Sequence, residues 1–350
     1  MKTISGKTKL RALNKRKAGL PANSYPSCNI IAISLVLSCA SFSQLAFSAD
    51  KQPAFSEMSL EELTSLEVFK AASGLPTKHS QAPGTVYSFD REDFLRMGVR
   101  RVDDLLQFVP GMQLNQDRKR RRSIWSRGLL DRHNSKLVLI VDGVQIRHLY
   151  YGGFSLGDNF PLEKIEKVEI IQGPASSLYG ANAFAGIISI TTREFVQDSE
   201  IELTAEAGNH ERKKITALAN ASKVQIFASH LDQDAPFRED RESFIGGDVQ
   251  QPLDEDYSNV LIKASPFEGL TLTADYSHEE TPFLFIPDTQ DAFVEQESFT
   301  FSVSHEMGDL EKGKLETTAY YTNDQASEFE IDQDTRDPGY HENQDSEIAG

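Results

Sequence analysis

The sequence predicts an α+β domain followed by an antiparallel transmembrane β-barrel. Three observations support this prediction: short strands separated by sharp turns between Leu137 and Thr192, a change to long alternating strands after Phe195, and an export signal at the start of the chain. We expect about the first eight strands of the barrel. A barrel wide enough to enclose a domain needs about 22 strands, so we expect these residues to be the front part of a longer protein.

The start of the chain has the composition of a secretory signal peptide. The first 27 residues contain seven Lys and Arg and no acidic residue, and residues 29–40 form an apolar stretch that is too short to span a bilayer as a helix. Ala46 and Ser48 are the small residues that a signal peptidase requires, which predicts cleavage after Ser48. Both cysteines, Cys28 and Cys39, precede this point, so the exported part has no thiol.

The charge distribution divides the exported part in two. Removal of residues 1–48 leaves 29 basic and 53 acidic residues, a net charge of −24, which is unsuited to binding nucleic acid. Residues 67–195 contain 18 basic and 14 acidic residues, whereas residues 196–350 contain 10 and 35. This change of sign places a domain boundary near residue 195, and it favours docking of the first part into the second.

Strand and turn signals organise the first domain. Leu137–Val141 is a continuous apolar run that ends at Asp142-Gly143, which predicts a buried strand and a tight turn. Lys167–Gln172 alternates charged and apolar residues before Gly173-Pro174 breaks it, and Gly186–Thr191 is a third strand. These segments predict a compact sheet.

Two helices are predicted ahead of these strands. Asp90 is a suitable N-cap for a helix over Arg91–Met97, which Gly98 ends. In Val102–Val109 the apolar residues fall on one helical face, and Pro110-Gly111 stops the chain. The first domain is therefore predicted to be α+β.

Five motifs in this domain occur in the order of a known domain: Ile124-Trp125-Ser126-Arg127-Gly128, Val141-Asp142-Gly143, Ile165–Pro174, Leu178-Tyr179-Gly180 and Gly186–Thr191. Together they resemble the plug domain of TonB-dependent outer-membrane receptors. The resemblance implies a plug in the lumen of a multi-pass β-barrel in the outer membrane of a Gram-negative bacterium. It implies neither a cofactor nor an enzymatic activity.

The resemblance also suggests a division of the chain. Residues 1–48 are the signal peptide, 49–66 an N-terminal periplasmic segment, 67–195 the plug and 196–350 the first part of the barrel. The family's TonB box lies at the start of the plug, where TonB and its inner-membrane energising complex engage the chain by strand addition. The alternative is an inert linker. The candidate residues are Glu67, Val68, Phe69, Lys70 and Ala71.

Two segments of the plug are candidates for ligand binding. Guanidinium groups bind carboxylate, catecholate or phosphate groups, and exposed aromatic rings stack on planar or apolar ligands. The alternatives are a solvated loop, contact with outer-membrane lipid headgroups, and rings that pack beneath their own loop. The candidate residues are Arg118, Arg120, Arg121, Arg122 and Trp125 in the basic segment, and Tyr150, Tyr151 and Phe154 in the aromatic one.

The resemblance further implies contacts between plug and barrel. In the family, basic plug residues pair with acids on the barrel wall, and Arg127 and Lys167 stand at matching positions. Gln172 stands where the family commonly carries an arginine, which removes one charged contact. We therefore expect Arg127 and Lys167 to hold the plug.

Beyond Phe195 the residues alternate along each strand. In Leu270–Ser277 every even-numbered residue is apolar or aromatic and every odd-numbered one is polar, as in strands with one lipid-facing and one water-facing side. Short turns such as residues 266–269 alternate with long acidic connections such as residues 237–256. This difference favours a transmembrane barrel over a soluble sandwich.

The resemblance implies a TonB-dependent receptor that uses the proton motive force to import a scarce ligand. A ferric siderophore or related iron complex is the first candidate, followed by haem and cobalamin. The alternative is a non-transporting outer-membrane binding or adhesion protein that retains the plug fold. Gly153–Gly157 matches the G-x-S-x-G motif, but it lacks the flanking strand and helix of a nucleophile elbow, and no zinc motif occurs. No catalytic residue or metal site is assigned.

Overall fold

The structure, a computed structural model, describes residues 84–116, 122–129, 131–147, 152–173, 180, 182–234, 254–282, 291–309, 313–331 and 338–349. The predicted signal peptide, the segment 49–66 and the candidate TonB box lie outside these residues. So do five ligand-binding candidates: Arg118, Arg120, Arg121, Tyr150 and Tyr151. Within the described ranges, no helix is long and apolar enough to cross a membrane.

The first domain contains seven strands and two short α-helices in its described residues. The helices are α1 (Arg91–Met97) and α2 (Val102–Leu105), and 3-10 turns follow at Leu106–Phe108 and Leu162–Lys164. The strands are β1 (Thr85–Asp90), β2 (Met112–Gln116), β3 (Arg122–Ser126), β4 (Leu137–Val141), β5 (Val144–Ile146), β6 (Ile165–Gln172) and β7 (Gly186–Thr192).

The caps of α1 agree with the sequence. The Asp90 side chain accepts a hydrogen bond from the Asp93 backbone N–H at 2.9 Å, and the Asp90 N–H donates to the Asp93 carboxylate at 3.2 Å. This reciprocal pair satisfies two helix-terminal groups. At the other end Gly98 has φ +65, the left-handed conformation that glycine adopts without strain.

The second predicted helix is shorter than expected. The apolar spacing predicted a helix over Val102–Val109, but α2 ends at Leu105 and the chain tightens into a 3-10 turn over Leu106–Phe108. The Val109 N–H donates to the Leu106 carbonyl, which is the bond of the tighter turn. Val102, Leu105, Leu106 and Val109 are nevertheless all buried, so the apolar face was correctly identified.

A five-stranded sheet forms the centre of the first domain. Its order is β1-β6-β7-β4-β5; β4 and β7 are parallel and the other pairs are antiparallel, while β2 and β3 form a separate hairpin. Asp142 and Gly143 both have positive φ, 46 and 84, as a two-residue turn between β4 and β5 requires. Fully buried side chains of the core include Leu105, Leu139, Ile165, Val168, Ile170 and Ile188.

In its described residues, the second part of the chain is an eight-stranded antiparallel sheet in which consecutive strands are neighbours. This number agrees with the expectation of about eight strands. The strands are β8 (Glu200–Ala207), β9 (Lys213–Asn220), β10 (Val224–Asp234), β11 (Asp254–Ala264), β12 (Leu270–Pro282), β13 (Asp291–Asp309), β14 (Gly313–Ile331) and β15 (Pro338–Ala349).

This eight-stranded sheet has one face toward the first domain and one face away from it. On β10, Gln225, Phe227 and Leu231 are buried, and the Gln225 side chain donates to the Arg193 carbonyl of the segment that follows β7. The alternate residue Val224 is exposed. The period of two therefore separates an inward face, which meets the first domain, from an outward one.

Candidate functional site

The contact between the first domain and the inward face of the eight-stranded sheet is the candidate functional site, and charged side chains dominate it. Among the described residues, seven ion pairs cross this contact. Three involve β8: Glu202 lies 3.6 Å from Arg91 and 2.6 Å from Arg193, and Glu200 lies 2.8 Å from Arg193. The other four are Lys164 with Asp275 at 2.7 Å, Glu163 with Lys214 at 2.7 Å, Asp158 with Arg212 at 3.3 Å and Asp142 with Lys263 at 3.4 Å.

Lys164 is the most buried cation of the contact. Its side chain is 1% exposed, and its ammonium group donates to Asp275 Oδ2 on β12. The ammonium also lies 5.7 Å from the centre of the Phe160 ring. Asp275 accepts a second hydrogen bond from the Asn259 amide at 3.0 Å. The buried charge of Lys164 is therefore matched by one carboxylate that a neighbouring strand holds in place.

Glu163 precedes Lys164 in the same 3-10 turn and pairs with a different strand. Both of its carboxylate oxygens accept hydrogen bonds from Lys214 Nζ on β9, each at 2.7 Å. The Glu163 backbone carbonyl accepts from Arg91 at 3.1 Å. Two consecutive residues of opposite charge thus contact β9 and β12 from one turn.

Asp142 contacts the end of β7, from which the chain continues toward β8. It accepts hydrogen bonds from the Thr192 backbone N–H at 2.8 Å and from the Thr192 hydroxyl at 2.5 Å. Lys263 Nζ on β11 donates to that hydroxyl at 2.8 Å and to the Arg193 carbonyl at 3.3 Å. The tight turn predicted at Asp142-Gly143 therefore presents a carboxylate to the inward face.

A longer run of charges lies around α2. Asp103 is fully buried and faces Arg122 at 2.7 Å and Arg101 at 3.3 Å. Arg101 also lies 3.6 Å from Asp158, which in turn contacts Arg212. The charges therefore alternate from β3 through α2 to the residue that precedes β9.

Burial affects the protonation of Asp103. It raises the pKa of this carboxyl group above its usual value, although the neighbouring guanidinium groups of Arg122 and Arg101 oppose the shift. The nearby Asp104 and Asp158 carboxylates add to the rise. Asp103 therefore takes up a proton more readily than an ordinary carboxyl group does.

The two residues predicted to hold the first domain are placed differently. Arg127 is exposed, has φ 49, and donates its backbone N–H to the Gly111 carbonyl at 2.7 Å. Lys167 Nζ lies 2.6 Å from Glu169 on its own strand. The Gln172 side chain donates to the Pro110 carbonyl within the first domain. The roles of Arg127 and Lys167 as barrel contacts stay predictions.

Three of the predicted ligand-binding residues lie in the described part of the chain. Arg122 is paired with Asp103, and Trp125 is half-buried on β3. Phe154 is 5% exposed and packs in the core of the first domain, so its ring is not available for stacking on a ligand. The ligand-binding interpretation was wrong for Phe154, because its ring packs beneath the loop, as the alternative had it.

The polarity of the contact agrees in part with the expectation. The charge sums favoured basic groups on the first domain and acids on the strands, and four of the seven pairs have this direction: Lys164 with Asp275, Arg91 with Glu202, and Arg193 with Glu200 and Glu202. The other three place the acid on the first domain. Charged residues at inward positions of alternating strands, such as Lys214 and Lys263, were the sequence signal that could have identified this contact.

One group of described residues has the composition of a metal site. The ligating atoms of His278, Glu295 and Glu297 lie within 4.8 Å of one another. His278 and Glu297 are direct neighbours on β12 and β13, and the Tyr276 hydroxyl donates to Glu297 at 2.9 Å. Asp275 is an odd-numbered residue of β12 and faces the first domain, whereas His278 is even-numbered and lies on the opposite side of the strand. The group therefore lies on the outward face and takes no part in the contact.

Comparison with known proteins identifies the first domain. Residues 78–187 match the family model described as the TonB-dependent Receptor Plug Domain. The chain is 33% identical over 128 residues to the Vitamin B12 transporter BtuB of Vibrio vulnificus strain CMCP6, a match that covers 36% of this chain and 20% of that protein.

Solved receptors share the fold at low sequence identity. The ferric yersiniabactin uptake receptor FyuA of Yersinia pestis gives a TM-score of 0.56 at 16% identity, covering 76% of this chain and 45% of that one. The ferric enterobactin receptor PfeA of Pseudomonas aeruginosa gives 0.54 at 17% identity, covering 77% and 46%. The chain thus spans less than half the length of the receptors that it matches.

Proposed function

The chain carries the plug domain of a TonB-dependent receptor followed by strands that resemble the receptor barrel, and we propose that it belongs to an importer that couples ligand uptake to the proton motive force. The cargo is a ferric siderophore or a related iron complex. The similar solved receptors FyuA and PfeA are described as ferric yersiniabactin and ferric enterobactin receptors, which supports this choice. No covalent bond is made or broken in this function.

The single observation that carries the proposal is the ionic contact between plug and barrel. In an importer, the plug must stay in place at rest, and its contact with the barrel must break under a modest force. Each partly solvated ion pair contributes on the order of 1 kcal/mol, so the seven pairs together can resist thermal release. When the plug is displaced, water and salt enter between the separated charges and screen them, so the pairs weaken together.

The pulling partner in this proposal is TonB with its inner-membrane energising complex. Residues 67–71 are the proposed attachment segment, since an extended main chain can add a strand to the sheet edge of a partner. This segment lies at the start of the plug in the sequence, so a pull on it acts on the plug before it acts on the barrel. Ligand binding would make the segment accessible by favouring one plug arrangement over another.

The proposed location is the outer membrane, with the plug in the lumen. The outward face of the eight-stranded sheet exposes large apolar side chains, which suit contact with lipid. They include Ile201, Leu203, Ile215, Phe299 and Phe301. Outer-membrane lipid is therefore a proposed partner of this face.

Cobalamin is a second candidate for the cargo. The observation that favours it is the 33% identity to the Vitamin B12 transporter of Vibrio vulnificus. That match covers 128 residues, which is 36% of this chain. It is consequently weaker evidence on the cargo than on the plug fold, because ligands also contact barrel loops.

An uptake assay tests both candidates together. The full-length protein is expressed in a Gram-negative host without siderophore and cobalamin receptors, and radiolabelled ferric enterobactin, ferric yersiniabactin and cobalamin are supplied in parallel. We expect accumulation of one compound that stops when a protonophore collapses the proton gradient or when residues 67–71 are deleted. Binding that persists without any energy-dependent uptake would instead favour the non-transporting binding or adhesion protein.

A further inference from the structure

The charged run around α2 connects two distant parts of the protein. Arg122 begins β3, directly after the basic residues 118–121, and its guanidinium group lies 2.7 Å from Asp103. Arg212 precedes β9 on the barrel and contacts Asp158 at 3.3 Å, Glu206 at 2.9 Å and Gln233 at 2.6 Å. Arg122 and Arg212 thus lie at opposite ends of one run.

Arg101 is the shared member in the middle of this run. Its guanidinium group lies 3.3 Å from Asp103 and 3.6 Å from Asp158, and it also pairs with Asp104 at 3.2 Å. Asp103 has no exposed surface, and neither of its buried oxygens makes a hydrogen bond of good geometry. Its charge is therefore compensated by the two guanidinium groups of Arg101 and Arg122.

If one of these two guanidinium groups is lost, the other must compensate the charge of Asp103 alone. If Arg122 is removed or engages another anion, the buried Asp103 carboxylate depends on Arg101 alone. Arg101 then contributes less to Asp158, whose side chain is 7% exposed, and Asp158 depends more strongly on Arg212. A change at the start of β3 is in this way transmitted to the plug–barrel contact.

We propose that Asp103 is a positioning residue that couples Arg122, at the end of the basic segment, to the plug–barrel contact of Asp158 with Arg212. The inference deepens the proposed function, on which it rests, because it gives an anionic ligand near Arg122 a route to the barrel. Asp103 touches no ligand itself. It acts by setting how Arg101 divides its interactions between the two carboxylates.

A double-mutant cycle on plug release tests this coupling. Full-length protein in detergent carries Ser302→Cys on the inward face of β13, a position 4% exposed that lines the gap beside the plug. The rate of its labelling by maleimide, followed against urea concentration, gives the equilibrium for plug release. The variants are Arg122→Gln, Arg212→Gln and the double variant.

The expected result is a double variant that favours plug release at least about fivefold more than the product of the two single effects. The matched control is Arg122→Gln with Lys263→Gln. Lys263 is also a barrel cation that contacts the plug, at Asp142, but it shares no partner with Arg122. Its effect should combine with that of Arg122→Gln to within about twofold of the product.

Two further variants separate positioning from a general loss of structure. With Asp103→Asn, the combined effect of Arg122→Gln and Arg212→Gln should fall to within about twofold of the product of the single effects. With Asp104→Asn, the coupling should be unchanged. Arg122→Lys should restore the behaviour of the unmodified protein, because it keeps the charge. If Asp103→Asn does not fold, the comparison of the two cycles and the Arg122→Lys rescue still decide the matter.

Additive effects of Arg122→Gln and Arg212→Gln would overturn the proposal. So would coupling of equal size to Lys263→Gln, because that would indicate a general weakening of the plug. The measurement needs neither ligand nor TonB. A protein that shows no uptake can therefore still show the coupling, and an importer can still lack it.

Discussion

The interior of the plug and its contact with the barrel are built from different interactions. The interior is apolar: Leu139, Ile170 and Ile188 have no exposed surface. The contact instead contains seven ion pairs among the described residues, including Lys164 with Asp275. The plug can therefore be internally stable and yet releasable, because apolar packing stabilises its interior while ion pairs attach it to the barrel.

Magnitudes support this division. Full burial of one large apolar side chain contributes about 1.5–3 kcal/mol, whereas a partly solvated ion pair contributes on the order of 1 kcal/mol. The core contains many such side chains, whereas the described part of the contact contains seven such pairs. The contact should therefore fail before the interior does.

The largest effect is expected from a cavity in the plug interior. Leu139→Ala should lower the free energy of unfolding of the plug by about 2–5 kcal/mol, because a fully buried side chain leaves a void. Urea unfolding followed by circular dichroism measures this change. The matched control is Leu95→Ala on α1, where the side chain is 83% exposed and the change should stay within about 0.5 kcal/mol.

A smaller effect is expected when the buried Lys164 loses its partner. Asp275→Ala should weaken plug retention by about 1.5–3 kcal/mol, since it removes a hydrogen bond between charged groups and leaves Lys164 uncompensated. Maleimide labelling of Ser302→Cys against urea reports the release. Asp275→Asn keeps an oxygen acceptor and should lose less. Equal losses in the two variants would contradict the ionic account.

A still smaller effect is expected at the pair of Lys263 with Asp142. Lys263→Met keeps the apolar stem and removes the charge, which should weaken retention by about 1 kcal/mol. Lys213→Met is a suitable control, because this lysine is 66% exposed and contacts Glu211 rather than the plug. The same labelling assay should detect no change in the control, and a matching loss there would point to net charge instead of a specific contact.

The smallest effect concerns pH. Because burial raises the pKa of Asp103, this group is protonated at a higher pH than an ordinary carboxyl group. The groups that face it are Arg122, Arg101, Asp104 and Asp158. As the pH falls toward the raised pKa, the coupling between Arg122 and Arg212 should decline by about twofold. Repeating the double-mutant cycle at several pH values tests this, and coupling that grows on acidification would contradict it.

Local signals in the sequence predicted much of the fold. Alternation identified the strands of the second part, and their number, eight, is confirmed. The cap at Asp90 and the turn at Asp142-Gly143 depend on nearest neighbours along the chain, so their residue types were sufficient. The helix over Val102–Val109 was predicted too long because periodicity does not distinguish an α-helical from a 3-10 turn.

The plug–barrel contact could not be derived in the same way. Its partners are far apart in the chain: Lys164 and Asp275 are separated by 111 residues, and Lys263 and Thr192 by 71. Net charge per domain indicated attraction, but it carries no information on which side chains face each other. Local sequence likewise did not reveal the burial of Phe154. Its position after two glycines suggested exposure, whereas the packing of the core buries its ring.

Ion pairs hold the plug in the barrel, and apolar packing stabilises its interior. Labelling of cysteines at two sites tests both statements in one experiment. The quadruple variant Asp142→Asn, Asp158→Asn, Glu163→Gln and Asp275→Asn is combined with Ser302→Cys on the barrel wall or with Ala185→Cys in the plug core. The account predicts that the wall site becomes labelled at lower urea concentration while the core site is unchanged. A parallel shift at both sites, or no shift at the wall site, would contradict it.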